Sequence, residues 1–342
     1  MTSGWTDVCR ASRRWMFCAR AGAFLWLVLH GISAAAQEHP AAPGTSIRVE
    51  VDRVNVGVIV TDAKGNFVDG LQREDFQISD GGIPQPISDF ASVDAPAQVL
   101  MLLEAGPAVY LLQDSHLFVA NALLNGLSAG DRVAIAVYNN APTALMDYTS
   151  DKGAVEGALD SIQFNLGFGD LNLGKSLNTV LDWLARVPGK KSIVLVSSGV
   201  DTSPAADMQS SLSLLETGDV RIFCISMSGP LRNGKKGTKQ QIHQTQEAFE
   251  QADAWLKALA DASGGRAYFP ESAKAFQETY RQVAQLVRHE YSLAFAPPKA
   301  DGAAHAIDVK VVSRGDKAEN EASAYRVDHR RGYIAPKPPT QD

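Results

Sequence analysis

The apolar positions of this chain change period twice. Between residues 47 and 94, Val49, Val51, Val54, Val56, Val58 and Val60 nearly alternate with other residues, which is the period of a half-buried strand. Asp62-Ala-Lys-Gly65 and Asp80-Gly81-Gly82 punctuate the segment as turns, with a short helical turn expected at 71–76 and a strand at 76–79. From Gln98 onward, short unbroken apolar runs alternate with stretches of helical period. Strands are predicted at 99–103, 133–138, 192–197, 220–225 and 266–269. Helices are predicted around Leu117, Ala120, Leu123, Leu124 and Leu127, around Val155, Leu159 and Ile162, and around Leu173, Leu177, Val180 and Leu184. Two more follow, around Phe249, Trp255, Leu256 and Leu259, and around Phe276, Tyr280, Val283 and Leu286. Strands that are apolar throughout are buried on both faces, and the helices between them supply the cover. Strand patterning returns at 291–296, 306–312, 324–328 and 332–334. The predicted fold class is α/β: a doubly wound, mainly parallel sheet inserted into a small β-sandwich that the N- and C-terminal segments build together. The domain division is then 47–96 and 289–335 for the sandwich, 97–288 for the α/β domain and 336–342 for a tail. The polar stretch 228–246 (SGPLRNGKKGTKQQIHQTQ) is expected to be a mobile surface loop.

The first residues have a different character. Arg10, Arg13, Arg14 and Arg20 precede an apolar run at 21–32, and Ala34 and Ala36 fit the small-x-small pattern of a cleavage site. A signal peptide is therefore predicted over 1–36, cleaved after Ala36, with a flexible leader at 37–46; the alternative is an anchor that is kept. The expected location is periplasmic or secreted. Loss of four arginines and one aspartate would move the formal charge from −6 to about −9. That balance argues against nucleic acid as a partner and against attachment to anionic lipid. Cys9 and Cys18 lie in the signal segment, which leaves Cys224 as a lone thiol in an apolar strand, where burial is expected.

Catalytic patterns are absent. The sequence has no Gly-x-Ser-x-Gly, no His-Glu-x-x-His, no P-loop and no Gly-x-Gly-x-x-Gly after a strand. His243, His289 and His305 lack metal-ligand spacing and are expected to be surface or structural residues. Ser197-Ser198-Gly199 could present a nucleophile at a strand end, but no base lies nearby in sequence, and turn chemistry explains it as well. The protein is read as a non-enzyme.

The order of TDAKGNFVDGL (61–71), EDF (74–76), VLMLLEAGPA (99–108), GDRVAIAVY (130–138), KKSIVLVSSGVDTS (190–203) and RRGY (330–333) resembles the von Willebrand factor A-related family of exported bacterial proteins. The resemblance implies a Rossmann-type domain with a metal-ion-dependent adhesion site at the C-terminal ends of its strands. There Asp-x-Ser-x-Ser, a Thr and a later Asp hold Mg²⁺, and an acidic partner side chain completes the shell. This chain departs from that pattern. Glu104, Gly106 and Ala108 stand at the Asp-x-Ser-x-Ser positions, Leu171 (or Asp170, one residue out of step) at the Thr, and Ser198 at the later Asp. Mg²⁺ tolerates poor geometry badly, so a degenerate, metal-free site is expected, with no cofactor. Glu104, Gly106, Ala108, Asp170, Leu171, Ser198 and Asp201 would then contact a protein partner, with Tyr110, Phe164 and Phe168 as candidate aromatic anchors. Two alternatives stand beside it. One is a variant Ca²⁺ or Mg²⁺ site using Glu104, Asp170 and Asp201, with Glu104 otherwise a solvated acid at a strand end. The other is a structural role in an envelope assembly.

Overall fold

A computed structural model describes residues 53–106, 123–164, 170–232, 239–312 and 325–337. The predicted signal segment and leader, most of the helix around Leu117 and Ala120, Ala108, Tyr110 and Phe168 lie outside the described residues. Four strands come first: β1 (Val54–Thr61), β2 (Phe76–Asp80), β3 (Ile83–Gln85) and β4 (Asp89–Asp94). The next six are β5 (Gln98–Glu104), β6 (Arg132–Tyr138), β7 (Pro142–Thr149), β8 (Lys191–Ser197), β9 (Val220–Ser226) and β10 (Arg266–Tyr268). Between and after them run α1 (Lys152–Asp160), α2 (Leu173–Leu184), α3 (Ala205–Thr217), α4 (Ser228–Arg232), α5 (Lys239–Ser263) and α6 (Ala273–Leu286). The chain closes with β11 (His289–Phe295), β12 (Ala304–Val311), β13 (Arg326–His329) and β14 (Gly332–Ile334).

The six middle strands form one sheet in the order β10-β9-β8-β5-β6-β7, parallel except for the antiparallel edge β7. Strand period sorts its side chains onto two faces. Val99, Met101 and Leu103 of β5 pack with Val194, Val196, Phe223, Ile225 and the α6 residues Phe276, Tyr280 and Val283. Leu100 and Leu102 face the other way, among Ile193, Leu195, Cys224, Leu177, Leu181, Leu256 and Leu259. Both faces are thus covered, as the unbroken apolar runs require. Phe164 packs against the first of these cores. Cys224 is fully buried, and burial pushes its thiol pKa up.

The chain ends pair into two four-stranded sheets, β13-β1-β11-β4 and β14-β12-β2-β3. Val54, Val56, Val58 and Val60 of β1 share a core with Phe76, Ile78, Tyr291, Leu293, Phe295, Ile307, Val309 and Tyr333. The sandwich therefore draws on both ends of the chain, with the α/β fold inserted between β4 and β11. His305 is a structural residue held there: Nδ1 lies 3.2 Å from Asp80 and Nε2 3.1 Å from Asp301.

One expectation needs correction, and two elements carried no signal in the sequence. The 228–246 stretch is not a loop where it is described, because α4 takes its start and α5 begins at Lys239. Gln and Lys are good helix formers, so polarity alone did not decide. The edge strand β7 (PTALMDYT) was not predicted because its burial follows no simple alternation. Helix α3 was not predicted either; it buries only Met208, Ser211 and Leu215, and a serine breaks its apolar stripe.

Asp131 fastens the lower end of the sheet. Its carboxylate accepts from Ala97 N (2.7 Å), Ser128 N (2.6 Å) and Arg288 Nη1 (3.0 Å), and its side chain is fully buried. Asp131→Asn turns one acceptor into a donor that faces donors, so a loss of about 2 kcal/mol is expected in urea unfolding.

Candidate functional site at the upper end of the sheet

Strand register builds this site. Glu104 ends β5 opposite Tyr138 at the end of β6, and Leu103 pairs with Val196. The next step along β8 therefore puts Ser197 beside Glu104. Glu104 is fully buried, not a solvated acid. Its Oε2 accepts from Ser198 N (2.7 Å), Ser198 Oγ (2.8 Å) and Ser197 Oγ (3.1 Å). Tyr138 Oη lies 2.6 Å from Ser197 Oγ and 3.4 Å from Glu104 Oε2. With the serine hydroxyl donating to the carboxylate, the tyrosine donates to the serine. Ser197 Oγ also accepts from Gly199 N at 2.8 Å. Glu104 Oε1 is buried without a partner. Burial raises the Glu104 pKa, against the lowering effect of its Ser198, Ser197 and Tyr138 hydrogen bonds. Burial also pushes Tyr138 well up, with the neighbouring Glu104 charge adding to the effect. Gly106 closes the hub: a Cβ there would lie 3.1 Å from Glu104 Oε1 and 3.0 Å from Leu171 Cδ2.

Asp201 does other work. Asn172, which precedes α2, makes no side-chain cap bond, and Asp201 supplies it from a neighbouring loop. Its oxygens accept from Leu173 N (3.1 Å) and Gly174 N (3.2 Å), and also from Ser203 N and Oγ. A carboxylate there satisfies orphan donors of the first helical turn and complements the helix dipole. Leu171 acts through its backbone, exchanging hydrogen bonds with Thr202. Asp170 is exposed. The structure therefore brings Glu104, Gly106, Leu171 and Ser198 together, turns Asp201 onto α2 and leaves Asp170 at the rim. Ser198 and Ser197 are buried and committed to Glu104, so neither is an exposed nucleophile.

Residues the sequence did not single out complete the upper end. Tyr138 is one. A second cluster sits past β9, where Ser226 Oγ and Ser228 Oγ bond Asp253 Oδ1 at 3.0 and 2.8 Å, and Arg232 pairs with Asp253 Oδ2. The available signal was a second strand ending in serine, as β8 does.

An octahedral cation wants several accessible, deprotonated oxygens around one point. Here Glu104 is sealed with one of its two oxygens spent on donors, the Ser198 hydroxyl points its proton at Glu104, and the Asp201 oxygens are engaged on α2. The residues do not fit a metal of the adhesion-site type. Among the described residues, no group of three or more His, Cys, Asp or Glu is arranged to hold a metal ion.

The family model of the von Willebrand factor type A domain matches residues 117–282. No curated protein matches the chain. Solved structures similar to it include an aerotolerance-related membrane protein from Bacteroides fragilis, at 15% identity and TM-score 0.42, covering 56% of this chain and 99% of that one. A von Willebrand factor type A protein from Catenulispora acidiphila matches at 10% identity and TM-score 0.46, over 76% of this chain and 73% of that one. Proximal thread matrix protein 1 from the mussel byssus, described with a zinc-occupied MIDAS motif, matches at 15% identity and TM-score 0.44, over 61% and 50%.

Proposed function

Because residues 117–282 are a von Willebrand factor type A domain, we propose that this protein is an exported, non-catalytic binding module that recognises a protein partner at the upper end of its α/β sheet without a metal. The observation that carries this reading is the state of Glu104: one buried carboxylate oxygen is saturated by Ser197 and Ser198, where a metal-dependent relative would keep oxygens free for a cation. Around that sealed hub the rim stays open. Asn140, Asp170 and Thr202 are exposed, and Asn172 ties the loops beneath them by bonding Asn140 Oδ1 at 2.6 Å and Asn140 O at 3.1 Å. A rim fixed from below suits recognition by hydrogen bonds and contact area, since a pre-ordered surface loses less entropy on binding. Export rests on the pattern of residues 1–36; among the described residues no helix is long and apolar enough to cross a membrane.

The test has two arms. Metal analysis of the purified protein is expected to find no stoichiometric divalent ion, and melting is expected to be the same in EDTA and in added Ca²⁺. A Ca²⁺-dependent rise in Tm that disappears in Glu104→Gln would replace this reading with a variant cation site, the second reading. It retains one supporting observation, the unpartnered Glu104 Oε1. Affinity capture from cell envelopes forms the second arm: Asp170→Arg at the exposed rim is expected to lose a partner that the wild type retains. Capture unchanged by rim substitutions would move recognition elsewhere on the protein.

A further inference from the structure

At the opposite end of the sheet, where β8 and β9 begin, a cavity of about 410 Å³ lies between the α/β domain and the sandwich. Gly57, Gly189 and Gly218 line it, so main chain borders much of the space. At Gly57 a Cβ would stand 2.6 Å from Glu290 Oε2 and 3.2 Å from Arg221 Nη2, so a side chain there would displace that pair. Four cationic side chains reach the cavity, Lys190, Lys191, Arg221 and Arg330, against two carboxylates, Asp219 and Glu290. The formal balance is +2 in a chain whose net charge is −6.

The carboxylates do not go round. Lys191 Nζ takes Asp219 at 2.9 Å, while Glu290 is divided between Arg221 at 2.9 Å and Lys190 at 3.4 Å. Arg330 has no carboxylate partner among the described residues and donates instead to the carbonyls of Thr217, Gly218 and Asn55. Nε of both Arg221 and Arg330 is buried without an acceptor, and Arg221 as a whole is only 7% exposed. Arg330 is half-buried, and a cation taken even partly out of water without a counter-charge is costly. Burial lowers the Lys190 pKa to about 8, against the raising effect of Glu290 and with Arg221 adding to the lowering, and burial also lowers that of Arg330.

We propose that this cavity binds a phosphate dianion, free or as the head of a small phosphate monoester. Two missing negative charges match a dianion, and its several oxygens suit donors that arrive from different strands as guanidinium and ammonium groups. The volume leaves room for a short organic portion. The site shares no residue with the upper rim, so its test is independent of the partner-binding reading.

The test uses the full mature chain in KCl of matched ionic strength, titrated with inorganic phosphate and, separately, with glycerol 3-phosphate. Calorimetry is expected to give saturable binding of at least one probe, and Tm is expected to rise by several degrees at saturation. Preference between the two probes identifies free phosphate or the ester as the ligand. Lys190→Gln removes the cation with the longest contacts, 3.4 Å to both Glu290 and the Arg288 carbonyl, and is expected to lower affinity at least tenfold. Absence of saturable binding in the wild type, a rise in Tm that KCl alone reproduces, or undiminished affinity in Lys190→Gln would each overturn the proposal. The wild-type titration decides even if the variant does not fold.

Discussion

Glu104→Ala is expected to unfold about 4 kcal/mol more easily than the wild type in urea. The substitution opens a cavity and strips the acceptor from Ser198 N, Ser198 Oγ and Ser197 Oγ, all inside a dry cluster. Glu104→Gln separates the two contributions. It keeps the volume and one acceptor oxygen, but its new amide hydrogens meet the same unpartnered space that Oε1 occupies, so a loss of about 2 kcal/mol is expected. The pH dependence follows from the raised pKa of Glu104. The folded state holds this proton to a higher pH than the unfolded chain does. Stability from this group is thus complete below the unfolded glutamate pKa and falls as pH rises toward the folded value. Urea midpoints measured upward from about pH 4 are expected to contain a falling component in the wild type that Glu104→Gln lacks. A component that rises over that interval would mean that the hydrogen bonds of Ser197 and Ser198 outweigh burial, and that the carboxylate is held charged.

Most of the architecture was legible because it depends on short-range period. A run such as VLMLL divides its side chains between two faces whatever lies across from it, and both faces of β5 are indeed packed. Elements that bury little carried no such signal. β7 is a half-exposed edge, and α3 places Ser211 where an apolar residue would have announced a face. The site was legible only as a set of positions. Glu104, Gly106, Leu171 and Ser198 converge in the fold, yet what Glu104 does was hidden. Its burial results from register among three strands that meet only in the folded sheet, and its partner Tyr138 reads in sequence as an ordinary strand residue. Asp201 shows the same limit. As a carboxylate two residues past a strand-end glycine it suggested a ligand, whereas the fold gives it the uncapped first turn of α2, which no local pattern could reveal.

Gly264→Ala and Gly302→Ala form a matched pair that measures how firmly the sandwich is seated on the α/β domain. Both glycines have φ +71°, so alanine meets the same left-handed backbone strain at each, about 1 kcal/mol. Their surroundings differ. At Gly302 the new methyl would approach the Lys337 side chain at 3.1 Å, a long exposed chain that can swing aside. At Gly264, in the turn from α5 to β10, it would clash with the His329 carbonyl carbon and Arg330 N. Those atoms are main chain between β13 and β14, and the same junction carries the Arg266 contacts to Thr61 and Asp328. The turn can yield only by lifting the sandwich strands off the α/β domain. Gly302→Ala is therefore expected to cost about 1 kcal/mol and Gly264→Ala about 4 kcal/mol, read from urea midpoints at constant m-value. Near-equal losses would mean that the β13–β14 turn moves freely on α5, and that the two parts of the protein are held together elsewhere, at the Arg221–Glu290 and Arg288–Asp94 pairs.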